Sequence, residues 1–368
     1  MSATRKSIVV VGGGAAGATI TRILSSKINA STTSLTLITA RPFALHLPAC
    51  IRLTTTAEGK LEDDVLIPYD NLLVNGNGTI KVGRVTSIEQ NKENSGSVIL
   101  STGERVHYDI LVLAPGSEWD GPLAFPDDRA AVLEHIKSWR RKFENASGII
   151  LAWWWCQYAG EIKDVFPRKK VTIVHSDSQL LNSTYPNKYR KLVEKDVTSR
   201  GINIVFNDYV DNFDTIPATT RSQRQLEGDL IVPTFGGRPG TGFVKSLGSG
   251  VLNARGQIKV APTFQIESHP NIYAIGDVID WSEQKQAAKA PKHAQIAAAN
   301  ILSQLNGGSP GKQYTGQPEL IIITNGKKQG TSYMGFLWGI TLGNWFSSSM
   351  KGKELMVSMT RKAYGLSK

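Results

Sequence analysis

The sequence predicts an α/β protein in which two wound, parallel-sheet domains are followed by a small α+β unit. Three observations carry that prediction. A β-branched run near the start, Ser7-Ile8-Val9-Val10-Val11, enters a glycine turn and then a helix-permissive segment, Ala18 to Leu24. Two later apolar strands, over Tyr108 to Leu113 and Asn271 to Ile275, end at sharp turns, Ala114-Pro115-Gly116-Ser117 and Gly276-Asp277. Between them, Gly148-Ile149-Ile150-Leu151-Ala152 opens a second strand of the same kind. Strands of a parallel sheet are covered on both faces, so they are written as continuous apolar runs.

In the opening turn, glycines fall at 12, 14 and 17. In a strand–turn–helix context this G-x-G-x-x-G spacing predicts a Rossmann-like dinucleotide site. Gly12 makes the tight turn. Gly14, followed by Ala15 and Ala16, lets backbone N–H groups approach a pyrophosphate at the positive helix N-terminus, and Gly17 lets the helix pack on the strand. The competing reading is an ordinary glycine-rich turn. Ser34 to Thr39 forms the second strand by alternation of apolar and hydroxyl residues. Such sites usually place an acid about twenty residues beyond the turn for the ribose. Here that position holds Thr39, able to give a neutral hydrogen bond, and Arg41 beyond it is placed to meet a phosphate or stack on adenine.

Arg41 to Leu53 is an apolar loop with two prolines, read either as cofactor-lining or as a buried connector with a satisfied His46. Strands are expected over 79–91, including Val85, then over 97–101 and 105–108, with Thr102-Gly103-Glu104 closing a hairpin. A helix is expected over 285–305.

With 368 residues, 40% hydrophobic and 20% charged, the chain has material for two or three domains. The net charge of +11 points to an anionic partner or to a solvated basic surface. The basic residues stand in short clusters such as Arg140-Arg141-Lys142 without a nucleic-acid motif, so a nucleic-acid partner is not expected. No metal-ligand spacing is present. The two cysteines, Cys50 and Cys156, are far apart and form no C-x-x-C pair. That implies a reducing, cytoplasmic setting rather than secretion, and no dithiol relay.

The Gly12–Gly17 turn, the Asp109–Gly116 strand and the Asn271–Asp277 strand together resemble the FAD-contacting segments of the pyridine nucleotide-disulfide oxidoreductase superfamily. Arg41-Pro42-Phe43, Ala159-Gly160-Glu161-Ile162-Lys163, Val171 to Ser176 and His293-Ala294 through Asn300-Ile301 are similar to the apoptosis-inducing-factor-2 or ferroptosis-suppressor branch. The resemblance covers nearly the whole chain. It implies that FAD lies extended from Gly12, Gly14 and Gly17 past Val85, Ala114 and Gly116 to Gly276 and Asp277, whose carboxylate accepts hydrogen bonds from the ribitol chain. It further implies a Lys285 ammonium near the flavin, stabilising negative charge on the reduced ring. Ala114-Pro115-Gly116 departs from the Ala-Thr-Gly of the family and removes one N–H and one hydroxyl.

The same resemblance implies a second glycine turn for NADH or NADPH near residue 153, with Glu161, His175 and Gly236 around it. This chain reads Trp153-Trp154-Trp155 there and is about three residues short before Ala159. Indole side chains deny a pyrophosphate the close backbone approach that glycine allows. Tryptophan has one codon, TGG, and a run of it read one base later gives glycines. A frame or splice-boundary alteration is therefore expected, the alternatives being tryptophans adapted as core or cap, or a chance sequence.

The implied organisation is an FAD domain over 1–121 and 257–309, an NAD(P)H-type domain over 122–256 and a C-terminal unit over 310–368. In the last, Tyr333 to Met350 carries no charge and is followed by Lys351, Lys353, Arg361 and Lys362. It is too rich in glycine and serine for a transmembrane helix. Two readings stay open: a peripheral contact through 333–362 with a mitochondrial or other intracellular membrane, or a buried cover over the flavin. The expected activity is FAD-dependent transfer of electrons from NAD(P)H to a quinone-like acceptor. The alternative is a flavin-binding, reductase-deficient interaction or signalling protein.

Overall fold

In the computed structural model, which describes residues 5–91, 94–153, 156–336 and 339–367, the opening β-branched run becomes the centre of a six-stranded sheet. The strand order is Gln265–Ile266, His269–Ala274, Ile110–Leu113, Lys6–Val11, Thr33–Thr39, Thr79–Val82, and all neighbours but the first pair run parallel. Ile8, Val9 and Val10 are buried because helices cover the sheet and leave no polar face. Lys6–Val11 pairs with Thr33–Thr39 on one side and with the much later Ile110–Leu113 on the other. The connection order thus reverses at this strand, the point where wound sheets open a crevice at the carboxyl ends of their strands. Helix Ala15–Lys27 packs beside helix Ala290–Leu305.

A second sheet, ordered Ile202–Val205, Lys170–Val174, Gly148–Trp153, Leu230–Thr234, is parallel throughout. Here too the first strand of the unit lies inside the sheet and leads into a helix, Cys156–Val165. The expected hairpin is present as Gly96–Leu100 against Arg105–Tyr108, in an antiparallel sheet with Val85–Gln90. Near the end, Leu320–Thr324, Gly330–Met334 and Ile340–Leu342 form an antiparallel sheet, followed by the short helices Asn344–Ser347 and Val357–Ala363.

The structure differs from the sequence expectations in two places, and a third expectation, that the stretch from Tyr333 forms no transmembrane helix, agrees with it. Residues 41–53 are not a loop: Phe43–Leu45 is a strand and Leu47–Thr55 a helix, with Pro48 in its first turn, where the missing N–H costs nothing. The helix expected from Lys285 begins at Ala290 after a 3₁₀ turn, so Lys285 lies in the preceding loop. The uncharged stretch from Tyr333 folds as strand and short helix, and among the described residues no helix is long and apolar enough to cross a membrane. Trp154, Trp155, Leu337 and Trp338 lie outside the described residues.

Candidate functional site

The opening turn separates its glycines by what surrounds them. Gly12 has φ of +104°, and a Cβ there would stand 2.2 Å from the Ala114 carbonyl oxygen. A Cβ at Gly17 would stand 1.8 Å from the Gly12 oxygen. Both positions therefore need glycine for the fold itself. Gly14, by contrast, has no atom within 4 Å of where its Cβ would be, and its φ of −73° suits any residue. Nothing among the described residues requires glycine at 14. Helix Ala15–Lys27 starts there without a side-chain cap and without an acidic residue in its first turn, so its N–H groups and positive end face that open side. Ala15 and Ala16 are the first helical residues. The residues present fit a dinucleotide diphosphate.

The other flavin-implied residues gather around the same crevice. Ala114 N–H donates to Val11 and Ile275 N–H to Leu113, which brings the turns at Gly116 (φ +71°) and Gly276 (φ +82°) beside Gly12. A Cβ at Gly276 would lie 3.0 Å from the Ala16 Cβ, so the two cofactor-facing turns touch. Asp277 accepts from Ser117 Oγ at 3.3 Å. Burial holds its carboxyl above the ordinary value, against the pull of Ser117 and the Lys285 charge. Lys285 Nζ donates to the carbonyls of Ile279 (2.8 Å) and Trp281 (3.1 Å), and burial lowers its pKa against the attraction of Glu283 and Asp277. Val85 is buried at the start of its strand. Thr39 Oγ1 lies 3.3 Å from Tyr69 Oη. Arg41 places Nε 2.8 Å from the Pro126 oxygen and a terminal nitrogen 2.6 Å from that of Phe125, facing Asp127, so the guanidinium is anchored on this segment.

Several residues that hold the crevice were missed in the sequence. The Gly276 N–H donates to His293 Nδ1 at 3.2 Å, which leaves the ring proton on Nε2, 3.0 Å from Glu283 Oε1. Tyr314 Oη donates to the other Glu283 oxygen at 2.6 Å, and Lys289 pairs with Glu319 at 2.6 Å. Burial pushes the Glu283 carboxyl up, but His293, Tyr314 and Lys289 outweigh it and hold it below the ordinary range. His293 stood in a motif that carried the resemblance. Glu283, Tyr314 and Tyr69 carry no local signal.

At the second sheet, the described part of the corresponding turn begins at Trp153. Trp153 ends its strand with φ of +118°, close to the +104° of Gly12. The backbone there takes a glycine-like conformation under an indole, a strained arrangement for a bulky residue. The ring lies edge-on to Tyr209 (5.6 Å) and Phe235 (5.3 Å), and Phe213 adds to Phe235 (5.4 Å). An aromatic cluster therefore stands at the carboxyl end of the strand where a phosphate would approach. Glu161 is turned inward. Both its oxygens are held by Arg52 at 2.7 and 2.9 Å, with side-chain exposures of 2% and 4%. Arg52 also donates to the carbonyls of Gly352 and Lys353. His175 follows the next strand, is buried, and sets Nε2 2.9 Å from the Gln179 oxygen; burial lowers its pKa. Gly236 borders open space next to Phe235.

Comparison with known proteins agrees with this architecture. A model of the pyridine nucleotide-disulphide oxidoreductase family matches residues 6–300. The chain is 44% identical over 315 residues to the FAD-dependent oxidoreductase FVFD30 of Flammulina velutipes, covering 84% of this chain and 98% of that protein. It is 27% identical to apoptosis-inducing factor homolog B of Dictyostelium discoideum, over 97% of this chain and 96% of the relative. Ferroptosis suppressor protein 1 of Taeniopygia guttata is 25% identical, over 97% and 95%. The fold is shared with the sulfide:quinone oxidoreductase of Aquifex aeolicus, at a TM-score of 0.76 and 18% identity over 97% of this chain and 90% of that one. With its glycine turn, switch-point crevice and Gly-Asp turn in that order, the chain belongs to the pyridine nucleotide-disulphide oxidoreductase family, on the side of the apoptosis-inducing factor homologs and ferroptosis suppressor proteins.

Proposed function

We propose that this protein is an FAD-dependent oxidoreductase that delivers electrons from its flavin to a quinone-like acceptor. The observation that carries the flavin is Gly14, where a Cβ would meet no protein atom within 4 Å, set between two glycines that the fold itself requires. FAD supplies the redox chemistry when bound. The chain's own residues orient it: the Gly12–Gly17 turn toward the diphosphate, Asp277 toward the ribitol chain, and the Lys285 ammonium toward the ring. Direct transfer to the acceptor is supported by the thiols. Cys50 and Cys156 are both buried and form no disulfide, and burial pushes the Cys156 thiol up to about 12, so neither resembles a relay. An apolar acceptor is supported by the exposed Phe336, Ile340, Trp345 and Met350 of the C-terminal unit, which we propose meets a membrane surface.

NADH or NADPH is the expected donor for such a flavin, and Trp153 favours a second reading in which this chain binds FAD but is poorly reduced by either. Anaerobic titration of the purified yellow protein with NADH, NADPH and dithionite distinguishes them. Bleaching by a nicotinamide supports the first reading, and bleaching by dithionite alone the second. The flavin assignment is tested by Gly14→Val. Because that position has room, the variant should fold with an unchanged apo melting temperature and purify colourless. Full flavin occupancy in it would remove the assignment.

A further inference from the structure

Gly13, the one glycine of the turn outside the G-x-G-x-x-G spacing, is explained by two tyrosines. A Cβ at Gly13 would stand 2.1 Å from Tyr69 Oη. Tyr69 Oη donates to the Gly13 carbonyl at 3.1 Å, and Tyr364 Oη, from the other end of the chain, donates to the same oxygen at 3.0 Å. All three groups are buried, and the two rings lie 6.1 Å apart. Thr39 Oγ1 backs the Tyr69 hydroxyl. Burial pushes Tyr69 up to about 12 and Tyr364 higher, so both remain donors at physiological pH.

The peptide plane between two glycines swings more freely than any other, through ψ of the first residue and φ of the second, because neither has a Cβ to restrict it. In a trans peptide the carbonyl and the next N–H point in opposite directions. Holding the Gly13 oxygen from one side therefore aims the Gly14 N–H to the other side, and Gly14 itself is exposed. The donors also polarise the peptide and strengthen that N–H as a donor in turn. We propose that Tyr69 and Tyr364 are a pair of positioning residues for FAD, which lock the Gly13–Gly14 peptide with its N–H toward the diphosphate. The C-terminal segment is thereby a working part of the cofactor site. The placement of Tyr364 is itself well secured. His46 holds the segment through the Leu355 oxygen (2.6 Å) and Thr360 (3.1 Å), and Arg361 donates to the Asp63 oxygen at 3.1 Å.

This inference rests on the FAD reading and can fail separately from it. The test measures FAD release from the yellow holoprotein on dilution, by recovery of flavin fluorescence, together with the melting temperature of the apoprotein. Tyr364→Phe keeps the ring and leaves Tyr69 on the carbonyl, so the apo melting temperature should fall only slightly. One lost hydrogen bond should raise the FAD dissociation constant about fivefold, and Tyr69→Phe should do the same. A single remaining tyrosine still restrains the peptide in part, so the double variant, which has neither, should lose more than the product of the two single effects. Unchanged FAD release in both singles overturns the inference, and so does a loss that appears only in step with a lower apo melting temperature. If the double variant cannot be recovered, the two singles decide. A wild-type protein that purifies without flavin would overturn the FAD reading instead.

Discussion

At the scale of single residues, Trp153 shows a bulky side chain on a backbone conformation that glycine adopts most easily. The strand end retains a positive φ that glycine adopts freely and tryptophan adopts at a cost of about 1–3 kcal/mol. Packing against Tyr209 and Phe235 is what offsets that strain. Replacing Trp153-Trp154-Trp155 by glycines and restoring about three residues before Ala159 should give a protein bleached by NADH or NADPH at much lower concentration. Several charge-assisted hydrogen bonds of about 1.5–3 kcal/mol each separate a phosphate cradle from its absence, so the gain in affinity should be at least about a hundredfold. Equal bleaching of both proteins at low nicotinamide concentration would show that the indoles are compatible with nucleotide binding. Beside this cluster, Asp208 accepts from Ser222 Oγ (2.5 Å) and from the Tyr209 and Ser222 N–H groups. Burial raises its pKa, but these bonds and one from Thr220 outweigh it and hold the carboxyl at about 2, below its ordinary 3.8. A depressed folded-state value means stability that is complete above about pH 4 and lost as pH falls toward 2. Asp208→Asn should therefore destabilise the protein clearly at pH 7 and much less near pH 2, as measured by urea unfolding at both. A gap of the same size at both pH values would contradict the assignment.

At the scale of elements, the Arg52–Glu161 pair explains why the expectation of a nucleotide contact at Glu161 was reasonable from sequence and why the structure uses the residue otherwise. Glu161 follows the second glycine-turn position at the spacing of the family, which is all a sequence can report. Its partner is 109 residues earlier, on a helix that the two prolines of 41–53 disguised as a loop. The pair ties helix Leu47–Thr55 to helix Cys156–Val165, while Arg52 also binds the carbonyls of Gly352 and Lys353. Glu161→Gln leaves an uncompensated guanidinium in the interior and should cost about 3–5 kcal/mol in chemical unfolding. A change below about 1 kcal/mol would show that water reaches the pair, as it does in surface ion pairs. The parallel strands were legible because burial on both faces writes apolar runs, and the hairpin because glycine marks its turn. Helix Leu47–Thr55 and the network around His293 were not, because partners distant in sequence define them.

At the scale of the molecule, the C-terminal unit is both a surface and a fastening. Trp345 is 83% exposed, near Ile340 and Met350, while helix Asn187–Thr198 brings Lys188, Lys191 and Lys195 to a groove shared with Thr341. Aromatic side chains flanked by lysines suit an anionic lipid surface. Removing the whole unit would be a poor test, because Gly330–Met334 carries Thr331, whose oxygen accepts from the buried Tyr189, and Tyr364 reaches Gly13. The substitutions Ile340→Ser, Trp345→Ser and Met350→Ser touch only exposed positions. Together they should lower co-sedimentation with phosphatidylserine vesicles at least about fivefold without changing the melting temperature. Unchanged sedimentation would remove the membrane reading.

The bond between Tyr364 and the Gly13 carbonyl joins positions 351 residues apart, and that distance sets an order in time. On the ribosome the strand Lys6–Val11 and its glycine turn emerge first, since chains fold from the N-terminal end as they are made. The turn then waits for nearly the whole remaining chain before its second tyrosine arrives. A nascent chain can build the parallel sheets well before it can grip a cofactor firmly. Tight retention of the yellow colour would thus mark translation that has run through residue 364, and chains released earlier would be the ones that shed it.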